Sequence, residues 1–235
     1  MLSLYVIPVL VTFLVAVSWL RLNDFVAHRG WISSHLSRKF IHMGTGPLFV
    51  ICWLLFSDGV VSRYLAALVP LAITLQFILV GSGVIRDEAA VKAMSRTGDR
   101  REILRGPLIY GIVFVLLTII YWKDTPIGVV TLMLMCGGDG LADILGRKFG
   151  GKRLPWNPGK SWVGSLGMFS GGFIFAAGIL AVYLLNGYFT TPWISYLPNL
   201  ALIALAGTLV ESLPIKDIDN LSVTLTAVLL GHILW

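Results

Sequence analysis

The chain has 235 residues, of which 57% are hydrophobic and only 13% are charged, and its formal net charge is +6. This composition leaves too little polar surface for an ordinary soluble domain. It predicts an all-α fold, a polytopic integral membrane helix bundle with about seven to eight transmembrane helices. The two cysteines, Cys52 and Cys136, lie far apart in apolar segments, so they are interpreted as packing residues rather than metal ligands.

Eight segments are apolar over about the 17–25 residues that a helix needs to cross a bilayer. They are residues 2–20, 40–56, 64–84, 106–122, 127–146, 161–185, 198–213 and 220–235. The first has no basic region before it and no small-residue cleavage site after it, so we expect it to be retained. Because no internal repeat or linker divides the chain, residues 1–235 are interpreted as a single domain.

Lysine and arginine are distributed unevenly among the predicted loops. Of the 18 such residues, all but Arg63 and Lys123 lie in the loops after spans one, three, five and seven. Under the positive-inside rule, these four loops are cytoplasmic and both termini lie outside. The net positive charge is therefore interpreted as a topogenic signal combined with an anion site, and it does not indicate binding to nucleic acid.

The first cytoplasmic loop carries histidines at intervals of seven, at His28, His35 and His42. They would share one face of an unbroken helix, but Gly30 and the serines at 33 and 34 argue against such a helix. Arg38 and Lys39 place two cations beside His42 at the depth of the membrane interface. Two interpretations are open for these cations, namely interfacial anchors or ligands for an anion.

The second cytoplasmic loop alternates acidic and basic residues between Arg86 and Arg105. Apolar residues recur at helical spacing opposite these charges, which predicts a short helix at the membrane surface. A charged turn at residues 98–102 directly precedes span four. Its arginines, Arg100 and Arg101, are candidates for contact with an anionic ligand.

The most informative stretch begins inside span five, where Asp139 and Asp143 interrupt an apolar run. If residues 127–146 form one helix, these aspartates lie one turn apart on the same face. An aspartate within an apolar span costs on the order of 2.5–3.5 kcal/mol on insertion scales, so such residues usually mark function. Two carboxylates on one face suit a divalent cation.

A basic, glycine-rich loop follows these aspartates and leads into span six. Its cations are Arg147, Lys148, Lys152, Arg153 and Lys160, and they alternate with Gly146, Gly150, Gly151 and Gly159. Phosphate groups need this combination of positive charge and close backbone approach. Span six begins near Ser161, so the positive end of its helix dipole would face the same anion. A Walker A motif is not formed, because position 154 is leucine rather than glycine.

The last two spans contribute further acidic residues at the same membrane face. Span six first presents Gly167 and Gly171, a small-xxx-small pair that predicts close helix packing. Span seven ends in Glu211, and the loop after it holds Asp217, Asp219 and Asn220. Asp219 or Asn220 would also suit the cap of span eight, and both interpretations remain open.

The predicted topology collects these carboxylates and cations at one membrane face. Carboxylates for magnesium, cations for phosphate and a helix N-terminus are the components of phosphoryl-transfer sites. A water-soluble acceptor would not require eight spans, so we expect the second substrate to be a lipid. The residues alone thus indicate a membrane enzyme that handles a nucleotide or polyphosphate and a lipid.

At these residues the chain resembles a known family. The pattern Asp139-x2-Ala142-x3-Gly146-x3-Gly150, followed by Lys160-Ser161-x2-Gly164-Ser165, is similar to the CTP-binding signature of the polyprenol kinase family. Three further stretches resemble its phytol kinase branch: Arg38-Lys39-x2-His42-x-Gly44-Thr45-Gly46, the turn at 98–102 with the residues up to 108, and Glu211 with Asp217, Asp219, Asn220 and Leu221. Dolichol kinases carry Lys-Lys-Thr where this chain has Gly159-Lys160-Ser161, which argues against dolichol as the substrate.

The resemblance implies transfer of the γ-phosphate of CTP, or of UTP, to the hydroxyl of phytol or of a related prenol such as farnesol or geranylgeraniol. It implies that Mg²⁺ is the cofactor, that Asp139, Asp143 and Lys160 are catalytic, and that the metal ligands are Asp139, Asp143, Glu211, Asp217 and Asp219. The implied nucleotide contacts are Arg38, Lys39, His42, Arg100, Arg101, Arg147, Lys148, Lys152, Lys160, Ser161, Gly164, Ser165 and Asn220. For a photosynthetic source, the resemblance implies a role in recycling phytol toward tocopherol, and for a photosynthetic bacterium it implies a location in the plasma or thylakoid membrane.

Three alternatives would use nearly the same components. A cytidylyltransferase would make a CDP-lipid from a lipid phosphate and release pyrophosphate, and a phytyl-phosphate kinase would add a second phosphate. A transporter for an anionic lipid or nucleotide would also need buried charges and broken helices. The charges of this chain lie at one face rather than at the midplane, and no paired halves are visible, which argues against the transporter.

Overall fold

In the computed structural model, which describes residues 2–95, 97–215 and 219–235, the chain is almost entirely helical. The helices are α1 (Leu2–His28), α2 (Ser34–Cys52), α3 (Val60–Ser82), α4 (Glu88–Met94), α5 (Gly106–Ile120), α6 (Pro126–Met133), α7 (Asp139–Phe149), α8 (Trp162–Leu185), α9 (Trp193–Ser212) and α10 (Asp219–Leu234). Short 3-10 helices cover Trp53–Leu55 and Arg100–Leu104, and a π-helical segment, Leu134–Gly138, joins α6 to α7. Strands β1 (Arg153–Leu154) and β2 (Asn157–Ser161) pair antiparallel.

Six helices in the described part of the chain are long and apolar enough to cross a membrane. They are Tyr5–His28, Val60–Ser82, Arg100–Ile120, Pro126–Phe149, Trp162–Leu185 and Trp193–Ser212. Of the other two predicted spans, α2 carries charged residues in its first turns and α10 has only 16 residues. The predicted all-α, polytopic membrane bundle is therefore confirmed.

The two largest differences from the predicted spans are at helix ends. α1 continues to His28 instead of ending near residue 20, and α2 begins at Ser34 instead of residue 40. Charged residues end the apolar pattern, but arginine and lysine are good helix formers and do not end the helix. The break falls where the sequence placed it, because Gly30 has a φ of +73° and the Ser33 side chain accepts a hydrogen bond from the Leu36 N–H.

The segment from α6 to α7 forms the centre of the bundle, with 78% of its most apolar stretch buried. It was predicted as one helix over residues 127–146, and it does run continuously, but with the π segment in its middle. Close packing against α8 is confirmed: a Cβ at Gly171 would lie 2.3 Å from the Gly137 carbonyl oxygen, and one at Gly167 would lie 2.8 Å from that of Leu141. These glycines let the backbones of α7 and α8 approach directly.

The helix connectivity brings four polar connections to one end of the bundle. These are the turn from α1 to α2, the segment from α4 to the start of α5, the β-hairpin before α8, and the connection from α9 to α10. The predicted surface helix is present as α4, and the loop predicted as glycine-rich contains the hairpin. At the opposite end of the bundle, Lys123 contacts the segment between α2 and α3. Its buried ammonium lies 2.7 Å from Asp58 Oδ1 and 2.8 Å from the Phe56 carbonyl oxygen.

Candidate active site

One face of α2 meets the two aspartates of α7 at the polar end of the bundle. His35, Lys39 and His42 are spaced i, i+4 and i+7 on α2, so they form a single stripe. Asp139 and Asp143 are spaced i and i+4 on α7 and face that stripe. Both aspartates therefore share a face, as their spacing predicted.

Short contacts join the two helices. The Lys39 ammonium lies 3.0 Å from Asp139 Oδ2 and 3.8 Å from Asp143 Oδ2. His42 Nε2 lies 3.2 Å from Asp139 Oδ2, and His35 Nε2 lies 2.8 Å from Asp143 Oδ2. Lys39 thus bridges both carboxylates, with one histidine at each end of the pair.

The π segment sets the direction of α7. A π-helical turn is wider than an α-helical one, so the residues after it are rotated relative to a continuous α-helix, and such segments are frequent at functional sites. Asp139 is the first residue beyond it. The Met135 carbonyl oxygen inside the segment also lies 3.3 Å from His42 Nε2. This irregularity therefore contributes directly to the surroundings of His42 and Asp139.

A second charged cluster surrounds Lys160. Its ammonium lies 2.5 Å from Glu211 Oε1 and 3.1 Å from Asp219 Oδ2, and it also donates to the Glu211 carbonyl oxygen. Burial lowers the pKa of Lys160, but the two carboxylates raise the pKa by more, so it lies above the ordinary lysine value. Lys160 is therefore a cation, held between the carboxylates of Glu211 and Asp219.

The β-hairpin fixes Lys160 against the end of α9. Trp156 Nε1 donates to Ser212 Oγ at 3.2 Å, and Asn157 Nδ2 donates to the Ser212 carbonyl oxygen at 3.1 Å. Lys160 lies on β2, directly before Ser161, the residue that caps α8. The hairpin thus joins the basic loop to the acidic end of α9.

The start of α8 lies against the end of α7. Ser161 caps α8, because its Oγ accepts the Gly164 N–H at 3.1 Å. A Cβ at Gly146 would lie 3.3 Å from Gly164 Cα, so these glycines allow close backbone approach. Ser165 Oγ is buried and has no hydrogen-bond partner among the described residues. It is a free donor beside the helix N-terminus.

The remaining predicted contacts lie elsewhere or at the edge of the site. Arg147 Nε is 2.9 Å from Asp143 Oδ1, while the Arg38 guanidinium donates to the Ser95 carbonyl oxygen at 3.1 Å. The guanidinium of Arg100 packs against Gly83 at the end of α3. Arg101, Lys148 and Lys152 are exposed, as are Arg100 and Arg147. Asn220 lies in the first turn of α10 beside Asp219, and Asp217 falls outside the described residues.

Two residues of the site were not predicted to contribute to it. Tyr110 of α5 donates from its hydroxyl to the His42 carbonyl oxygen at 2.9 Å, and its ring centroid is 4.5 Å from that of His42. No local signal in the sequence distinguishes this tyrosine from other membrane aromatics. His35 did carry a signal, since it lies seven residues before His42, and recognising Ser33 as a helix cap would have placed both on α2.

The carboxylate oxygens of the site are suitable ligands for a magnesium ion. Carboxylate oxygens are the ligands that Mg²⁺ prefers, and nucleotide sites often use one or two carboxylates with phosphates and water completing the shell. Asp219 Oδ1 is buried without a hydrogen-bond donor among the described residues, and Asp143 Oδ2 has only its ion-pair contacts with His35 and Lys39. Among the described residues, no group of three or more His, Cys, Asp or Glu side chains has an arrangement that could by itself hold a metal ion. Asp139 and Asp143 therefore fit a site that is completed by the nucleotide.

Comparison with known proteins gives close relatives of one kind. No protein-family model and no solved structure matches the chain. It is 43% identical over 222 residues, 94% of this chain and 74% of the relative, to "Probable phytol kinase, chloroplastic" of Triticum aestivum. It is 41% identical over 212 residues to "Phytol kinase 1, chloroplastic" of Arabidopsis thaliana, covering 89% of this chain and 70% of the relative. It is 42% identical over 227 residues to "Farnesol kinase, chloroplastic" of the same plant, covering 96% and 74%.

Proposed function

Because the chain belongs to the phytol kinase branch of the polyprenol kinase family and is a prenol kinase, we propose that its donor is CTP, or UTP, and that Mg²⁺ is its cofactor. The acceptor is the hydroxyl of phytol, farnesol or geranylgeraniol, and the product is the prenyl monophosphate. One observation carries this assignment: a stripe of Lys39 and two histidines on α2 faces the paired aspartates of α7 beside the N-terminus of α8.

The chain's own residues provide positioning and charge neutralisation, which account for most of catalysis in phosphoryl transfer. Lys39, Lys160 and the α8 N-terminus provide positive charge for the phosphates. In the reaction, the alcohol oxygen forms a bond to the γ-phosphorus while the bond from that phosphorus to the β-phosphate oxygen breaks. The alcohol proton passes to the Asp139–His42 pair, and the nucleoside diphosphate leaves.

The metal and the cations have separate roles in this proposal. Asp139 and Asp143 would hold the magnesium ion, which would supply charge neutralisation for the phosphate oxygens. Lys39 neutralises the same two aspartates when no nucleotide is present, which keeps two carboxylates stable in an apolar surrounding. Glu211 and Asp219 hold Lys160 in place, with Asp217 and Asn220 assigned to the nucleotide end of the site.

The proposal also includes a membrane orientation. Arg63 and Lys123 lie at the end of the bundle opposite the site, while the segments that carry the other described lysines and arginines lie at the site's end. The positive-inside rule then puts the site on the cytoplasmic face, where nucleotide is available, and both termini on the other side. The plasma or thylakoid membrane of a photosynthetic bacterium would suit a kinase that recycles phytol.

The decisive experiment follows labelled phosphate into lipid. The purified protein is incubated with Mg²⁺, phytol or farnesol, and CTP labelled at the γ-phosphate, with UTP and ATP as competing donors. We expect label in prenyl monophosphate and unlabelled CDP. With a lipid phosphate as acceptor, label only in released pyrophosphate and CMP attached to the lipid would instead identify a CDP-lipid cytidylyltransferase. Label that enters lipid only with phytyl phosphate as acceptor would identify a phytyl-phosphate kinase.

A further inference from the structure

An apolar groove of about 370 Å³ runs along the bundle between α1 and α2. Its lining extends along α1 from Val11 to Leu22 and includes Leu48 of α2, and Ser18 is its one polar side chain. Leu14 and Leu22 are more than half exposed, so the groove is open on the side that faces lipid. Its volume lies in the range of sites for small organic ligands, about 300–1,000 Å³.

One end of the groove lies level with the candidate active site. The Trp19 indole N–H donates to the Ile41 carbonyl oxygen at 3.4 Å, and its ring packs directly on Gly44. These two α2 residues bracket His42. From there the groove extends to Val11. Its lining on α1 spans the twelve residues from Val11 to Leu22, about 18 Å, which is more than half of the roughly 30 Å hydrocarbon core.

A chain of ring contacts connects the groove with the reacting end of the site. Trp19 and Leu48 also line a narrower crevice of about 30 Å³ that reaches Phe114 of α5. The Phe114 ring centroid is 4.7 Å from that of Tyr110, and Tyr110 in turn is 4.5 Å from His42. His42 contacts Asp139. The apolar groove and the polar site are therefore neighbours through packed side chains.

We propose that this groove holds the isoprenoid chain of the acceptor alcohol, with the hydroxyl directed past Trp19 toward His42 and Asp139. The proposal rests on the prenol kinase function and assigns the acceptor-binding site within it. An amphiphilic acceptor needs a polar reacting end at the membrane interface and an apolar surface that extends into the hydrocarbon core. A groove that is open to lipid along its length also accepts chains of different length, and the relatives are named for both phytol and farnesol.

The assignment predicts that a bulky side chain at the Val11 end of the groove, far from the active site, weakens the binding of long prenols more than that of short ones. Val11→Trp is compared with Leu10→Trp, a change at the adjacent α1 residue, which faces lipid outside the groove. If the loss equals about two buried methylene groups, the KM for phytol rises about tenfold. We expect a smaller rise for farnesol, none for dimethylallyl alcohol, and an unchanged KM for the nucleotide. Equal KM values of the two variants for each of the three alcohols would overturn the assignment.

A second measurement does not depend on turnover. A farnesol analogue with a terminal diazirine is photolysed with the wild-type protein in membranes, and the labelled peptides are mapped. We expect labelling on α1 and α2 that excess farnesol suppresses and excess phosphatidylcholine does not. Labelling on other helices would mean that the prenyl chain binds elsewhere, and equal suppression by phospholipid would mean that the groove holds ordinary bilayer lipid. Either result would overturn the assignment. Absence of labelled prenyl phosphate from every nucleotide in the kinase assay would instead reject the proposed donor chemistry, independently of the crosslinking result.

Discussion

At the scale of single residues, the contacts in the site stabilise two carboxylates at the edge of an apolar bundle. A buried charge is stable only when it is paired and hydrogen-bonded, and Lys39 with His42 provides this for Asp139. Asp143 has His35 and Arg147 as its partners. The same arrangement leaves cations close to the place where the phosphates of a nucleotide would bind, so one set of residues supports both stability and chemistry.

Replacing either aspartate with its amide tests this role. Asp139→Asn or Asp143→Asn removes a negative charge but keeps the size of the side chain. We expect kcat to fall at least about a hundredfold, the scale of a lost acid–base or charge-neutralising group. Asp124→Asn is the control, since Asp124 pairs with Arg63 at the other end of the bundle. Full activity of the Asp139→Asn and Asp143→Asn double variant, measured on correctly inserted protein, would refute the assigned site.

Tyr110 is expected to act by positioning His42. Tyr110→Phe removes the hydroxyl that donates to the His42 carbonyl oxygen but keeps the ring contact. Loss of one hydrogen bond costs about 1 kcal/mol, or roughly a fivefold decrease in kcat if the contact matters in the transition state. The KM for nucleotide should change little. Tyr64→Phe, an exposed tyrosine near the opposite end, serves as the control, and equal kcat for both variants would contradict the positioning role.

At the scale of helices and strands, irregular elements place the site. The π segment between α6 and α7 rotates the aspartates toward α2, and the glycines of α8 allow that segment to pack backbone to backbone. The β-hairpin then carries Lys160 across to the ends of α9 and α10. The π segment and the hairpin lie outside the regular parts of the transmembrane helices, yet each determines which charges meet.

The packing of α7 on α8 can be tested with one methyl group. A Cβ at Gly171 would lie 2.3 Å from the Gly137 carbonyl oxygen, so Gly171→Ala forces the π segment to move. We expect a loss of about 1–3 kcal/mol, typical of overpacking, together with reduced kcat. Gly178→Ala is the matched control on the same helix, where the added methyl meets open space. Similar melting temperatures for the two variants in detergent would contradict this account.

The ion pair between the hairpin and α9 makes a prediction about stability and pH. Lys160→Met leaves Glu211 buried without its cation, which we expect to cost up to about 3 kcal/mol near neutral pH. The double variant Lys160→Met with Glu211→Gln should regain part of that loss, because no unpaired charge remains.

The sign of the pH dependence follows from the raised pKa of Lys160. A raised pKa in the folded state contributes stability that is fully present below the ordinary value of 10.5 and is lost as the pH rises through the higher folded value. The difference in melting temperature between wild type and Lys160→Met should therefore stay constant near neutrality and narrow only in strong alkali. A difference that already closes between neutral and mildly alkaline pH would be inconsistent with this pair.

At the scale of the whole molecule, the two ends of the bundle have different tasks. The polar end holds the site and most of the basic loops. The other end is closed by a structural network in which Lys123 contacts Asp58 and Tyr188. Hydrogen bonds from Lys123 and Tyr188 lower the pKa of Asp58. The ion pair between Lys123 and Asp58 therefore weakens only when the pH falls below the ordinary pKa range of aspartate.

The proposed orientation can be measured with single exposed cysteines. Thr191→Cys lies in the connection between α8 and α9, and Lys152→Cys lies in the basic loop before the hairpin. A membrane-impermeant maleimide added to intact cells should label Thr191→Cys alone, and both positions after permeabilisation. Cys52 and Cys136 are buried and should not interfere. Labelling of Lys152→Cys in intact cells would reverse the proposed orientation.

The sequence by itself determined the class of the protein and the composition of its site. Hydropathy defined the membrane bundle, helical spacing placed Asp139 and Asp143 on one face, and alternation of the spans brought Lys160 and Glu211 to the same end. These features depend on local periodicity and on the order of segments, which a single chain displays directly. The resemblance to polyprenol kinases rests on equally local motifs.

Only the tertiary structure decided which groups meet. The contacts in the site depend on the rotation and register of helices that are distant in sequence. They include the ion pairs of Lys39 with both aspartates, the ion pairs of Lys160 with Glu211 and Asp219, and the hydrogen bond from Tyr110 to His42. The π segment changes that rotation without altering the apolar pattern, so it left no sign in the sequence. The groove beside α1 was also invisible, because its leucines and valines look the same whether they contact another helix, bilayer lipid or a prenyl chain.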